Sequence, residues 1–453
     1  MTEALLIVFA IVSMLASVLI ARVSMGRTWA LSPLFLFVVT SILFINIGFI
    51  KSFMDYSDQH WAAYALLSCS VGLLLVSSGG FLAALILNVP MLWPRVTSTL
   101  IRIDFSFGIA MRTACVVFTI VLLYFYLLGY IPILEGVKIL LTQGFIAGLV
   151  NNLRIGRDVY VNPEAAYIPL QGFMQAIRYF GLPIVAVWFL HLYRQKVRTR
   201  LSLAMLLSSA VLMVLTGQRW PLMYMFLTLI IYWSWTESNL RKYRRVIQRL
   251  GVTAFVTGGI LSMLLGRTTQ SGLNITEMAL LGLNDLFDRI FLGNVKVPFI
   301  SYRIFPQEEN WLYGWSWIQN LLAFLPGPLP SYPVTFYQMV TGDQKGFTAP
   351  PDFYTEAYIN FGWLGLVVIS FCWGFLLVIF QRILIGIRTS LLRTSVLAMM
   401  STLIAFSGFS GVIFLVGGVI VSIFISMVVV LQRKFLLKRQ VPSNILITRG
   451  ETT

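Results

Sequence analysis

The sequence predicts an all-α, polytopic membrane bundle of about 11 (10–12) transmembrane helices, with the N-terminus outside and the C-terminus inside. Three observations predict it. Of the 453 residues, 58% are hydrophobic and only 11% charged, whereas a soluble domain carries about a quarter charged residues. Apolar runs near the ~20-residue spanning length recur along the whole chain. Basic residues crowd into alternate loops, the pattern that sets membrane orientation. A water-facing surface cannot be built from this inventory, so the chain forms one integral membrane domain, 1–453.

The runs fall at 4–21, 31–50, 62–88, 109–130, 173–193, 202–216, 220–236, 250–266, 357–381, 394–409 and 412–431. Backbone groups in hydrocarbon must be satisfied within the segment, so these runs are helices. Short alternating segments of the β-barrel kind are absent. The first run, Ala4 to Ala21, lacks a basic leader and is long enough to span, so it reads as a retained helix rather than a cleaved signal. The last two runs form a hairpin turning at Ser407-Gly-Phe-Ser-Gly411.

Eleven spans with the N-terminus outside put Arg22/Arg27, Arg95/Arg102, Arg194 to Arg200, Arg241 to Arg249, Arg382/Arg388/Arg393 and the tail 432–453 on the inner side. These segments hold about two thirds of the 33 Lys and Arg, and most of the 17 Asp and Glu lie on the other side. The net charge of +16 is therefore a topology signal. The lipid bilayer is the expected partner, and nucleic acid is not.

Two outer segments exceed what a connector needs: 131–172 and 267–356. The second carries Trp311, Trp315, Trp317, Phe324, Tyr332 and Phe336 around the stretch Phe324-Leu-Pro-Gly-Pro-Leu-Pro330. That composition predicts a structured cap on the membrane, with rings at headgroup depth. Ile275 to Phe291 reads as an amphipathic surface helix.

Soluble-enzyme motifs are missing: no Walker A, no GxGxxG before a helix, no GxSxG and no HExxH. The two histidines, His60 and His191, and the three cysteines, Cys69, Cys115 and Cys372, have no metal-ligand spacing. No metal and no cofactor are expected.

Cationic side chains on the outer side carry more information. Arg219 sits in Leu215-Thr-Gly-Gln-Arg219-Trp-Pro221, a tight turn between two helices. An arginine held near lipid costs several kcal/mol unless an anion or a headgroup compensates it, by about 2.5–3.5 kcal/mol on insertion scales. Arg178 lies about one turn inside a helix from its outer end, facing either a watery cavity or, by snorkelling, the interface. Arg154 and Arg157, in Asn152-Leu-Arg154-Ile-Gly-Arg157-Asp158, and Arg267, Arg289 and Arg303 complete the outer set. Singly, each reads as a loop-surface residue; together they make a clamp for phosphate, because guanidinium forks match phosphate oxygens.

Pro350-Pro-Asp352-Phe-Tyr354-Thr-Glu356-Ala-Tyr358-Ile-Asn-Phe-Gly-Trp-Leu-Gly365 leads from the large loop into a helix. Asp352 and Glu356 are one turn apart and share a face if that stretch is helical. Either could accept a proton from a sugar hydroxyl, or simply answer the helix dipole. Tyr354 and Tyr358 suit stacking on sugar rings.

The helix count with one long late outer loop, the Leu-Thr-Gly-Gln-Arg219-Trp turn and the Glu356-to-Gly365 segment together resemble the bacterial oligosaccharide repeat-unit polymerases. These are the O-antigen polymerase (Wzy-type) group, related in fold to the O-antigen ligases. The resemblance implies glycosyl transfer between undecaprenyl-diphosphate-linked glycans at the periplasmic face of the inner membrane, without a nucleotide or metal. It implies diphosphate binding by outer-loop arginines, Arg219 foremost and Arg154, Arg157, Arg267, Arg289 and Arg303 by location; Arg178 joins them as a substrate-binding candidate from its place near the outer end of its helix. A polysaccharide chain-length regulator is the implied protein partner. Ligases typically carry a histidine shortly before the Phe-Gly-x-x-Gly helix opening, where this chain has Pro-Pro-Asp352-Phe. That departure favours polymerase over ligase, and the long outer loop disfavours a lipid-linked sugar flippase.

Overall fold

The computed structural model describes residues 3–25, 32–87, 105–129, 131, 134, 170–215, 219–236, 291–293, 295–323, 331–342, 350–387, 390–411 and 413–440. Every regular element among them longer than one residue is helical. Arg154, Arg157, Arg267, Arg289, the run at 250–266 and almost all of 275–291 lie outside the described residues, as does the side chain of Arg219.

The helices are α1 (Glu3–Met25), α2 (Pro33–Asp55), α3 (His60–Leu87), α4 (Phe107–Leu128), α5 (Gly172–Arg194), α6 (Thr199–Val214) and α7 (Arg219–Thr236). Then come α8 (Lys296–Ile304), α9 (Trp315–Leu322), α10 (Tyr332–Thr341), α11 (Phe353–Ile387), α12 (Leu391–Ser410) and α13 (Ile413–Gln440). Among the described residues, 8 helices are long and apolar enough to cross a membrane: α1 to α5 and α11 to α13. The count of eleven is thus not reached within the described part. The runs at 202–216 and 220–236 are helices α6 and α7. Sixteen residues in α6 rise about 24 Å, short of a hydrocarbon core of about 30 Å.

Local sequence sets the helix ends. Ser32, ahead of Pro33, accepts a hydrogen bond from Phe35 N at 3.1 Å. Ser106 caps α4 through Ile109 N, and Ser390 caps α12 through Arg393 N. Such caps are worth about 1 kcal/mol each. Gly129 ends α4 in the left-handed conformation, φ 80°. Helix α13 runs to Gln440, so the tail expected from 432 begins in helix.

Helix α1 is packed inside out by soluble standards. Helix α1 buries Ala10, Ser13, Ser17 and Ala21 and exposes Leu5, Val12, Leu15 and Leu19. Small residues let helices approach when lipid supplies no hydrophobic drive between them. The central pair, α3 and α11, crosses at Gly79 and Gly374: a Cβ on either would collide with a carbonyl oxygen of the other helix, Phe371 O or Val76 O. Among the described residues two helices carry a π-turn, Ile42–Asn46 in α2 and Ile177–Gly181 in α5. The first packs on α12 through Phe44 on Phe406 and Phe409; the second packs on α4 and α13 and is linked to α12 by the relay Tyr179–Tyr224–Phe406.

The late loop contributes the short helices α8, α9 and α10. They dock on the bundle, with Phe299 of α8 edge-on to Phe49 and Trp61 at 5.4 and 5.3 Å.

Candidate functional site

Helix α11 is two helices across a break. Gly362 has φ 65° and ψ −155°, a region that only glycine occupies freely. The break frees the carbonyls of Ile359 and Asn360, which accept from Leu312 N at 3.0 Å and Tyr313 N at 2.9 Å. The Asn360 side chain completes the join: Oδ1 accepts from Gly314 N at 2.9 Å, and Nδ2 donates to Ser316 Oγ and to Glu356 O, both at 2.7 Å. A strap of the late loop is therefore sewn to the half-helix Phe353 to Phe361. Sequence reasoning gives Asn360 no role of its own. The signal for it is its cost, since a polar amide in an apolar run is expensive at membrane depth unless it is paired.

Asp352 is the N-cap of this half-helix. Its Oδ1 accepts from Tyr354 N at 2.9 Å and Thr355 N at 3.1 Å, and Oδ2 pairs with the Thr355 hydroxyl. The carboxyl is fully buried, with Tyr302, Tyr354 and Cys69 as its titratable neighbours. Burial pushes it up to about 6, against the pull of the Thr355 and Tyr354 hydrogen bonds. Folded Asp352 thus holds its proton more tightly than an ordinary carboxyl of 3.8. Its contribution to stability is present at low pH and is lost as the pH rises through about 6. The wild-type unfolding temperature in detergent should fall as the pH climbs from about 4 to about 7. Asp352→Asn keeps a capping oxygen and should flatten that slope; an unchanged slope would remove Asp352 as its origin.

Glu356 is one turn on, also buried. Its carboxylate lies against the turn after α12: a Cβ on Gly411 would collide with Glu356 Oε2 and sit 3.1 Å from Pro351 O. Gly411 itself has φ 64° and ψ −161°. Both its backbone and its neighbour demand glycine. Gly411→Ala should therefore lower stability by about 1–3 kcal/mol and displace Glu356, read as a lower midpoint in chemical denaturation. Burial, then the Glu356 charge, raises the Tyr332 phenol of α10, so cap and half-helix face each other across this carboxylate.

Arg178 occupies the π-turn of α5 and is fully buried. Its guanidinium lies 4.5 Å from the Tyr179 ring centroid and 5.8 Å from that of Tyr124. It neither snorkels to the interface nor faces open water; π-turns are frequent at functional sites. The relay Tyr179–Tyr224–Phe406 leads from it to the end of α12 and so to Gly411 and Glu356. Arg219 opens α7, five residues before Tyr224 and hence about 7.5 Å away along the axis.

The remaining predicted residues sit elsewhere or are otherwise engaged. Arg303 is on the surface, its Nε 3.8 Å from Glu308 Oε1. Tyr354 is buried, edge-on to Phe37 at 6.4 Å and tight against Gly72. Tyr358 stacks on Tyr302 at 4.5 Å and meets Trp311 edge-on at 5.2 Å. Both tyrosines join elements of the protein to one another rather than presenting open ring faces. The structure thus brings Arg178, the start of α7, Asp352 and Glu356 to one end of the bundle, and leaves Arg303 outside that group. Among the described residues no group of three His, Cys, Asp or Glu converges on a metal position.

No protein-family model matches the chain, no curated protein matches it, and no solved structure matches it.

Proposed function

We propose that the chain is a membrane glycosyltransferase that polymerises undecaprenyl-diphosphate-linked oligosaccharide repeat units at the periplasmic face of the bacterial inner membrane. In this reading the bundle has about eleven spans, the N-terminus is outside, and the late loop with α8 to α10 is periplasmic. One observation carries the reading: a fully buried arginine in a π-turn and a buried carboxylate beside a glycine turn lie towards the same end of an apolar bundle, linked by the rings of Tyr179, Tyr224 and Phe406. Buried charges in a membrane protein mark function by default.

The chemistry is a displacement. The bond from the donor sugar's anomeric carbon to the diphosphate oxygen breaks, and an acceptor hydroxyl of a second lipid-linked unit forms the new glycosidic bond. The diphosphate leaves with its electron pair, stabilised by Arg178 and Arg219. The acceptor proton passes to Glu356. Asp352, tied by three hydrogen bonds within its own turn, holds the half-helix that carries Glu356 and is less suited to receive the proton itself.

The test is to supply the purified protein in lipid with a lipid-diphosphate-linked repeat unit and resolve the products by electrophoresis. A ladder of lengths is expected. Attachment of glycan to a lipid A–core acceptor without a ladder would instead indicate a ligase, and movement of the substrate across the bilayer without new bonds a flippase.

A further inference from the structure

Helix α9, Trp315–Leu322, is amphipathic the wrong way round. Ser316, Gln319 and Asn320 are buried, while Trp315, Ile318 and Leu321 are 46%, 49% and 51% exposed. The inward face is fully used: Ser316 Oγ accepts from Asn360 at 2.7 Å, Gln319 Nε2 donates to Thr335 Oγ1 at 2.8 Å, and Asn320 Oδ1 accepts from Tyr332 N at 3.0 Å. In water this orientation would leave three large apolar side chains half solvated, forgoing that much of the stabilisation that burial of apolar surface brings. It is the stable orientation only where the surroundings are apolar.

We infer that α9 lies in the plane of the membrane as a lid whose outward face is immersed in the acyl chains of one leaflet. Two observations select lipid as the occupant. Trp317 meets Phe361 at 5.7 Å, and from Phe361 the exposed strip continues without a polar break through Leu364, Val367 and Val368 of the spanning helix α11. The outward strip of α9 is therefore an extension of a lipid-facing surface. The strip also carries no charged or amide group that a protein partner could pair with. The inference is independent of the reaction assigned to the site. It fixes the depth of the half-helix, since α9 is sewn to Asn360.

The test uses the full chain in lipid bilayers with Cys69, Cys115 and Cys372 replaced by serine. A nitroxide is placed in turn through Ile318→Cys, Val368→Cys and Gln307→Cys, the last an exposed position of the late loop. Collisions with oxygen and with a water-soluble nickel chelate are compared. The label at 318 should match 368, with nickel collisions at least about fivefold below those at 307 and strong oxygen collisions, as for an interfacial helix. Nickel access equal to that at 307 would put α9 in water and overturn the inference. Low access to both reagents would mean that another protein surface, a second copy included, covers it, which also overturns it. Should the cysteine replacements prevent folding, the natural sequence serves: brominated lipids should quench its tryptophan fluorescence more than that of Trp315→Phe, and equal quenching would sink the idea.

Discussion

Gly374→Leu should leave no folded protein in the membrane. At the crossing of α3 and α11 a Cβ on residue 374 would collide with Val76 O and lie 2.9 Å from Gly80 N. Overpacking a well-packed core ordinarily costs about 1–3 kcal/mol because neighbouring side chains shift or change rotamer. Here the obstacle is main chain on both sides, which has no rotamer to change, so the helices must part. Parting them loosens the most extensive helix pair among the described residues and with it the half-helix that continues from α11. Even Gly374→Ala should lower the unfolding temperature, and the leucine variant should be lost to proteolysis or recovered only as aggregate on size exclusion. Leu376→Ala, on the exposed side of the same helix at 51% exposure, is the control and should be neutral. A well-folded leucine variant would show that α3 and α11 do not cross this closely.

The second large effect concerns the cations. Arg219→Ala should lower polymer formation roughly a hundredfold or more while the protein still inserts, the usual consequence of removing one preorganised contact to a developing anion. Arg178→Met should act similarly: methionine fills an irregular space without charge, so a packing role would survive the change and an electrostatic one would not. Lysine at 178 would restore charge without the planar fork that lies over the tyrosine rings, and should recover only part of the activity. The measurement is the length ladder from membranes with matched protein levels. Full activity in Arg219→Ala would remove that residue from the mechanism. Full activity in Arg178→Met would leave the buried arginine as packing alone.

Hydropathy located the eight helices that are long and apolar enough to span among the described residues, because one physical requirement, an apolar segment long enough for the bilayer, dominates their composition. Glu3–Met25 against 4–21 and His60–Leu87 against 62–88 differ by no more than four residues at any end. The interruptions were not legible. Gly362 stands in an apolar run where a lone glycine is ordinarily tolerated in helix; what breaks the helix is the set of donors at residues 312 to 314, some fifty positions earlier in the chain. The π-turns leave no mark on periodicity either: the one in α2 packs on α12 and the one in α5 on α4 and α13, neighbours that only the folded chain supplies. The depth of Arg178 alone marks it as unusual in the sequence, but the aromatic rings around it come from α4 and from its own neighbour Tyr179, a juxtaposition that only folding makes. The sequence leaves Asp352 open between a proton acceptor and a partner of the helix dipole; its hydrogen bonds to Tyr354 N and Thr355 N make it the cap of the half-helix.

The seam at Asn360 has a dynamic consequence. Strap amides 312 to 314 close onto acceptors that exist only while the segment 353–361 is coiled and the chain turns at Gly362. Neither partner can let go alone without stranding buried donors or acceptors, a penalty of about 1–3 kcal/mol apiece. Deuterium should therefore enter both stretches at one shared rate, as a single opening unit, although nearly fifty residues of chain separate them.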